Sequence, residues 1–528
     1  MASALEGDDV HVWLSGCSSV EVHQGIPEGG AIGPLAYNLL PDSLVRFLTL
    51  RGHGLGLGVV VPTAWHGHHW LGNGAPCSNL VDDIRARLRG GGPVPPAHIL
   101  SLHPDVEASA ARALDLEAST RIPCILHADD PVFLSSSRGA MQALLDDVCS
   151  WTKTVGAALH VSSKKTVCMV FGTHAGTGDK VLVYDGVLLE GVAIHRWLGV
   201  LWPSNLDFTS FLLQRVQVAS VAVSQLAGFA SSLSLPWFLV REIFESKVDG
   251  VLAFGRWLFI LCPDAETILN DCYSRWARSL LGADFWRNPA TCSSEMGWKL
   301  FGFGRVVVSV AMRRAKLFMT STWHSSFFLS ASSTTGSWAS RGAAVLNEWG
   351  VSDWPVWSGC PKSAEAYRVY VQGAVSRKLL AGWQATIRRH RSSIPYYEFE
   401  TLPGVALSRL TGAALGCSTH MQVRSWCRLR CGLLRLVHTK GKFLDVRCQD
   451  CIFCGLSTRK PLVHCLSLCR HWAQYRGELE VLMGQVAHDG NHNFAIKCLR
   501  GDNSLQALVK MVEWAAELDR EEFRFWST

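Results

Sequence analysis

The pattern of apolar and polar positions along the chain predicts an α+β fold. Short strand-forming runs occur at residues 10–13 and 20–22, and again at 125–130 and 132–134. From residue 208 onward the apolar positions recur mostly at helical spacing. We therefore expect a mixed N-terminal part, followed by a long part that is built from helices.

The clearest predicted helix follows the second pair of strands. Serines within 135–137 can cap its first turn, and Gly156 is suited to end it. The apolar positions between these caps recur with the helical period and are Ala140, Met141, Leu144, Leu145, Val148, Trp151 and Val155. Two more strands are predicted at residues 166–171 and 181–184. The first part of the chain therefore mixes short strands with helix.

Two adjacent carboxylates, Asp129 and Asp130, lie at the predicted tip of the second hairpin. Carboxylates in this position can hold divalent metal ions, and a pair of metal ions can stabilise both the attacking and the leaving oxygen of a phosphoryl transfer. An isolated Asp-Asp pair has an alternative explanation as a solvated turn. The sequence on either side of this pair favours a metal-binding role over a solvated turn.

Three further blocks accompany the Asp pair. A Gly-rich turn opens a predicted helix within residues 24–39, where the backbone can approach a nucleotide or template closely. Lys165 lies after Gly156 and just before a predicted strand. Its positive charge could contact a departing pyrophosphate, and the alternative is an ordinary surface charge. Residues 197–200, with the sequence Trp-Leu-Gly-Val, form a short apolar turn segment.

In this order, the four blocks resemble the reverse transcriptase of non-LTR (long interspersed element) retrotransposons. The resemblance implies an α+β fold that begins with a partial right-hand polymerase palm over residues 1–190. A helical thumb-like region would follow over 191–318 and a basic helical connector over 319–430. Residues 431–528 would form a small Cys/His zinc knuckle with C-terminal helices.

The resemblance also implies a reaction and roles for individual residues. The reaction is RNA-directed DNA synthesis by two-metal phosphoryl transfer, with Mg²⁺ as cofactor and with an RNA template and a DNA primer or target as partners. Asp129 would hold metal, Asp130 would support it, and Lys165 would assist catalysis. The nucleotide or template side would be lined by Gln24, Gly25, Pro34 and Asn38.

The sequence departs from the family pattern in three respects. His127 stands where the family has Tyr, and Pro131 follows the Asp pair. The family's first catalytic Asp and its fingers lie well upstream of the Gln-Gly block, whereas 23 residues precede Gln24 here. We therefore expect a degenerate, N-terminally truncated enzyme that is inactive in isolation, unless a separate polypeptide supplies the missing fingers. The alternative is a non-enzymatic protein that binds nucleic acid.

Six cysteines fall within 39 residues near the C-terminus, which favours a metal site over disulfides. Three thiolates and one imidazole suit a structural zinc ion, and their spacing resembles the knuckle that follows the polymerase in the same family. The predicted ligands are Cys451, Cys454, His464 and Cys469. Cys448 and Cys465 remain as substitutes for any of them. The alternative is a buried Cys-rich core without metal.

The net charge of +6 hides one strongly basic segment. Between Ala366 and Arg447 there are 14 Lys and Arg residues against three acids, a net charge of +11. This density suits a polyanion such as nucleic acid, and the alternative is a solvated helical surface. The predicted nucleic-acid contacts are Arg388, Arg389, Arg391, Arg428 and Arg430.

The composition also bears on where the protein resides. The first nine residues are acidic and lack the apolar core of a signal peptide, and no uncharged apolar run reaches about 18 residues. Eighteen cysteines without a secretory signal indicate a reducing compartment. We expect an intracellular protein, nuclear or cytoplasmic, that is not secreted and has no membrane segment.

Overall fold

The computed structural model divides the chain into two compact units, residues 1–195 and 196–528. Its described residues are mostly helical, with small sheets of two or three strands. The described residues are 10–12, 20–22, 43–54, 122–127, 130–135, 137–157, 159–162, 165–171, 182–282, 292, 295–296, 298, 300–319, 331–332, 336–354, 363–389, 419–431, 434, 436–438, 449–458, 460–484, 492–500 and 504–527.

Two antiparallel hairpins occur in the first unit. Strand β1 (Val10–Val12) pairs with β2 (Val20–Val22), and β3 (Cys124–His127) pairs with β4 (Asp130–Phe133). Helix α1 covers residues 43–50. Both predicted strand pairs are therefore confirmed as hairpins. The limits of the second hairpin differ by up to three residues, because β3 is Cys124–His127 and Asp130 belongs to β4.

Helix α2 (Arg138–Val155) contributes to the hydrophobic core of the described part of the first unit. The Oγ of Ser137 accepts a hydrogen bond from the backbone N–H of Ala140 at 3.2 Å, and Gly156 ends the helix in the left-handed conformation with φ 71°. Both caps agree with the sequence prediction. The buried positions are Leu144, Leu145, Val148 and Thr152. Val155, which was predicted on the same face, is 40% exposed because it lies in the last turn.

A three-stranded sheet packs against α2. Its order is β5 (Val167–Cys168), β7 (Val187–Gly191) and β6 (Leu182–Tyr184), with β5 parallel and β6 antiparallel to β7. The phenol oxygen of Tyr184 and the hydroxyl of Thr152 lie 2.9 Å apart and join sheet to helix. The predicted strand at 181–184 is confirmed, whereas the one at 166–171 is limited to two residues.

Two tight turns in this region use residues with positive φ. Asp185 and Gly186 connect β6 to β7 with φ values of 47° and 78°. Leu198 and Gly199, with φ values of 49° and 77°, connect β8 (Ile194–Trp197) to β9 (Val200–Pro203). Two consecutive positive φ values give a turn whose twist matches that of paired strands. The predicted Trp-Leu-Gly-Val turn is therefore confirmed.

The second unit is built mainly from helices, as the apolar periodicity predicts. Those in its described residues are α3 (Thr209–Ser232), α4 (Trp237–Ile243), α5 (Asp249–Ala253), α6 (Ala265–Leu281), α7 (Phe303–Met319), α8 (Trp338–Glu348), α9 (Ala364–Arg389), α10 (His420–Arg430), α11 (Pro461–Ser467), α12 (Ala473–Met483), α13 (His492–Arg500) and α14 (Leu505–Ser527).

One hydrophobic core joins these helices. Buried apolar side chains from Val200 to Leu518 form a single cluster, and the indoles of Trp237, Trp426 and Trp514 are fully buried within it. Burial of such large aromatic side chains stabilises the core by roughly 2–3 kcal/mol each. The predicted boundaries at residues 318 and 430 stay predictions, since this core is continuous across the described residues on either side of them.

A buried carboxylate, Asp249, organises the middle of this core. A π-helical turn, Phe244–Val248, joins α4 to α5 directly before it. Arg256 and Arg305 each approach Asp249 to 2.6 Å, and the hydroxyl of Tyr273 donates to it at 2.5 Å. Burial raises the pKa of Asp249, but the two guanidinium groups outweigh it and hold that pKa below its ordinary value.

Candidate functional site

The first half of the Cys/His cluster is a tight backbone turn at the end of a small sheet. Strand β11 (Gln449–Cys451) lies between β10 (Val437–His438) and β12 (Ser457–Thr458). After Cys451, the N–H of Gly455 donates to the carbonyl of Cys451 at 2.9 Å, and Gly455 has a φ of 74°. The positive φ turns the chain back so that Cys454 faces the same point as Cys451.

The second half of the cluster comes from a short helix. Helix α11 begins at Pro461, a residue suited to the first turn because its missing N–H has no partner there. The helix presents His464 inward, and the N–H of Cys469 then donates to the carbonyl of His464 at 2.8 Å. This bond holds the last cysteine next to the imidazole.

The four predicted ligands converge. The ligand atoms of Cys451, Cys454, His464 and Cys469 all lie within 4.8 Å of one another. The sulfurs of Cys451 and Cys469 are 3.9 Å apart, and the sulfur of Cys454 is 3.2 Å from Nε2 of His464. Tetrahedral zinc with Zn–S bonds of about 2.3 Å separates its ligand atoms by roughly 3.8 Å. The set therefore fits a single metal ion of that size.

The hydrogen bonds around the sulfurs favour a thiolate. A hydrogen bond from Cys469, aided by the N–H groups of Cys454 and Phe453, lowers the pKa of Cys451 to about 5. The same S–H···S bond raises the pKa of Cys469, because the proton of that thiol is the one donated to Cys451. Metal binding releases such protons.

Of the two substitute cysteines, the structure describes Cys465, and this residue does not enter the ligand set. Cys465 is fully buried, and burial raises its pKa well above the ordinary thiol value. It lies next to His464 in the sequence, but its sulfur is not among the converging ligand atoms. Cys448 lies outside the described residues. The originally favoured ligands are thus the ones that come together.

Aromatic rings tie this cluster to the C-terminal helices. Phe453, inside the turn, stacks on His471 at 5.6 Å, and Trp472 meets both rings edge-on. Trp472 then contacts Tyr475, which stacks on Trp514 of α14 at 6.1 Å. Sequence reasoning missed this ladder, because its members lie in three separate segments.

The Asp hairpin is described only in part. Asp130 is the first residue of β4; it is exposed and lies opposite His127 across the hairpin. Asp129 lies outside the described residues, as do Gln24, Gly25, Pro34 and Asn38. Lys165 is exposed, in the turn before β5. A two-metal site at this hairpin stays a prediction.

The predicted basic contacts do not behave alike. Arg388 and Arg389 end helix α9, and Arg391 lies outside the described residues. Arg428 is half-buried, and its Nη1 lies 3.6 Å from Asp519 of α14. That carboxylate lowers the net charge which Arg428 can offer to a phosphate.

The prediction for Arg430 is wrong. Its guanidinium is 1% exposed and pairs with Glu295, which is equally buried, through two bonds of 2.9 Å. It also donates to the carbonyl of Leu499 and lies 4.5 Å above the ring of Trp426. A side chain so enclosed stabilises the core and is not available to a nucleic-acid backbone.

No family model, curated protein or solved structure matches this chain. Among the described helices, none combines the length and the apolar character that crossing a membrane requires. The functional interpretation therefore depends on the residues themselves and on the converging Cys/His cluster.

Proposed function

We propose that this protein is a nucleic-acid-binding chain of the non-LTR reverse transcriptase type, with a C-terminal region that folds around a structural zinc ion. The observation that carries the proposal is the convergence of three thiols and one imidazole within 4.8 Å. Its position after a hairpin with adjacent carboxylates and a basic helical segment agrees with the motif order on which the family resemblance depends.

Zinc is the metal that suits this donor set best. Soft thiolate ligands with one imidazole select zinc over magnesium or calcium, which take oxygen ligands. Four protein ligands leave no coordination position for a substrate, so the metal has a structural role. The rigid turn and helix that it joins would then present the surrounding surface to RNA or DNA.

Metal analysis of purified protein tests the zinc site. We expect about one zinc per chain, lost in Cys454→Ser and retained in Cys465→Ser, which removes a neighbouring thiol outside the ligand set. Zinc loss in Cys465→Ser with retention in Cys454→Ser would overturn the ligand assignment.

Binding of a labelled single-stranded oligonucleotide, measured on the same samples, tests the nucleic-acid role. Absence of binding by the wild-type protein would refute that role.

A second candidate function is DNA synthesis on an RNA template. The β3–β4 hairpin favours it, since Asp130 is exposed at the tip of an antiparallel pair. Asp129 and Asp130 would bind Mg²⁺, which would stabilise the charge that develops on the transferred phosphoryl group.

Primer extension on an RNA template with Mg²⁺ tests this second function. If the hairpin is catalytic, extension should disappear in Asp129→Asn and persist in Asp146→Asn, which alters an exposed carboxylate of α2 in the same unit. Binding without extension by the wild-type protein would leave the nucleic-acid-binding function alone. Extension that survives Asp129→Asn would refute the catalytic role of the hairpin.

A further inference from the structure

Arg215 on helix α3 is held in place by groups that do not neutralise it. Its Nε donates to the backbone carbonyl of Val251 at 3.0 Å. Its guanidinium lies 5.9 Å from the ring of Phe211 and 5.1 Å from the ring of Phe254. Two ring contacts and one backbone bond fix the direction of the guanidinium before any ligand arrives.

Two glycines allow these rings to close around Arg215. A Cβ on Gly199 would lie 3.2 Å from the ring of Phe254, and a Cβ on Gly255 would lie 2.9 Å from the ring of Phe211. Both glycines have positive φ, at 77° and 69°. The arrangement therefore depends on the β8–β9 turn and on the turn after α5, and it is more than the chance position of a surface side chain.

A second arginine increases the positive charge at this place. Arg196, exposed on β8, acts on Arg215 with a like charge. Burial, followed by the charge of Arg196, lowers the pKa of Arg215 below its ordinary value. Among the residues that the structure describes, no carboxylate bonds to either guanidinium.

A purely structural role would explain only part of this geometry. The bond from Nε to Val251 can fasten α3 to α5, but it leaves the two terminal nitrogens of Arg215 without a partner in the described part of the chain. Neither guanidinium is neutralised by a carboxylate of the described residues, so both attract an anion. A phosphate, with several oxygens, matches the paired donors of arginine.

We propose that Arg215 binds one backbone phosphate of a nucleic-acid strand, with the charge of Arg196 attracting the same strand and with Phe254 beside Arg215 as a surface on which a base can stack. Phe254 is 44% exposed, so one part of its ring faces Arg215 while another part remains open. Arginines next to an exposed aromatic ring are the combination that single-stranded nucleic acids bind. The assignment rests on the proposed function, because it names the polyanion as nucleic acid.

Binding of a labelled single-stranded oligonucleotide to the full chain tests the site. We expect Arg196→Gln/Arg215→Gln to bind about tenfold more weakly, as for the loss of a charge-assisted contact. The slope of log affinity against log salt should become shallower by roughly 0.7 for one lost phosphate contact on a single strand. The matched control is Arg313→Gln, which removes an exposed guanidinium lying 5.1 Å from the ring of Trp257. It should leave affinity and slope unchanged.

Two further variants separate geometry from charge and from folding. Arg215→Lys keeps the charge but loses the planar fork, so the affinity should fall while the salt slope stays. Arg196→Gln alone alters an exposed side chain, so it keeps the test valid if the double variant fails to fold. An equal loss of oligonucleotide affinity in Arg313→Gln, or no loss of affinity in Arg196→Gln, would refute the proposed site.

The outcomes distinguish the site from the proposed function. Wild-type binding that all the Arg196 and Arg215 variants retain would refute the site and leave the function standing. Absence of wild-type binding would refute both. A polyglutamate peptide that binds with the same dependence on the two arginines would overturn the assignment to phosphate.

Discussion

The Cys/His cluster and the Asp hairpin are both candidate metal sites, and they differ in how they are enclosed. In the cluster, three of the four ligands are buried and the backbone bonds hold them around one point. In the hairpin, Asp130 is exposed at the start of a strand, opposite His127. A closed ligand set stabilises a fold, whereas an open carboxylate can exchange ligands, as catalysis requires. The comparison therefore predicts different consequences when each region is altered.

Removing zinc from the proposed site should have the largest effect on stability, and this effect should be confined to the second unit. Because the binding free energy of a closed site is also folding free energy, a chelator or Cys454→Ser should destabilise the second unit by on the order of 5–10 kcal/mol. Thermal unfolding measures the loss of stability, and hydrogen exchange shows which residues lose protection. Equal loss of protection in α2 of the first unit would contradict the contrast between the two regions.

Breaking the buried ion pair should have the next largest effect. Arg430→Met removes the ion-pair partner of the buried Glu295 carboxylate, so the free energy of unfolding should fall by about 3–5 kcal/mol. Urea unfolding measures this change. The double variant Arg430→Met/Glu295→Leu removes both charges and should recover much of the loss. If Arg430→Met leaves stability unchanged and weakens oligonucleotide binding, Arg430 contacts nucleic acid and does not stabilise the core.

His420 should make the second unit sensitive to acid. Its ring stacks on Trp237 at 5.4 Å, and burial, followed by the charge of Arg424, lowers its pKa from 6.5 to about 4. The unfolded chain then binds a proton that the folded chain excludes. Stability is therefore fully present above about pH 6.5, falls by about 3 kcal/mol as the pH drops to about 4, and levels off below that.

Urea unfolding at several pH values measures this dependence. His420→Gln should flatten the curve between pH 6.5 and 4, even if its stability at neutral pH is lower. His160→Gln, which alters an exposed histidine of the first unit, should leave the curve unchanged. A wild-type curve that is flat over this range would show that His420 does not titrate abnormally.

The smallest effect is expected in the β6–β7 turn of the first unit. Gly186 has a φ of 78° and open space where a Cβ would lie, so Gly186→Ala should cost about 1 kcal/mol from backbone strain alone. Gly139→Ala, in helix α2 with equally open space, should instead stabilise by about 0.5–1 kcal/mol. Thermal melting of the first unit compares the two, and changes of the same sign would contradict the turn geometry.

Features set by neighbouring residues could be predicted from the sequence. The caps of α2, the hairpin around the Asp pair and the four Cys/His ligands all depend on contacts over fewer than about 20 residues, where spacing constrains geometry. The prediction for Arg430 failed for the opposite reason, because its partner Glu295 lies 135 residues away in the sequence. Nothing in the local basic pattern therefore distinguishes Arg430 from a surface arginine. The same applies to Arg215, whose contact with the ring of Phe254 joins α3 to the turn after α5.

That separation between Arg430 and Glu295 also has a consequence for the order of folding. The core of the second unit includes residues from Val200 to Leu518, and α10, which carries Arg430, packs along α14 at the far end of the chain. Closing contacts over such separations is slow, because the entropy of the intervening chain must be lost first. During synthesis, the face of α10 that packs on α14 would therefore stay exposed until α14 has left the ribosome, the interval in which chaperones would matter most.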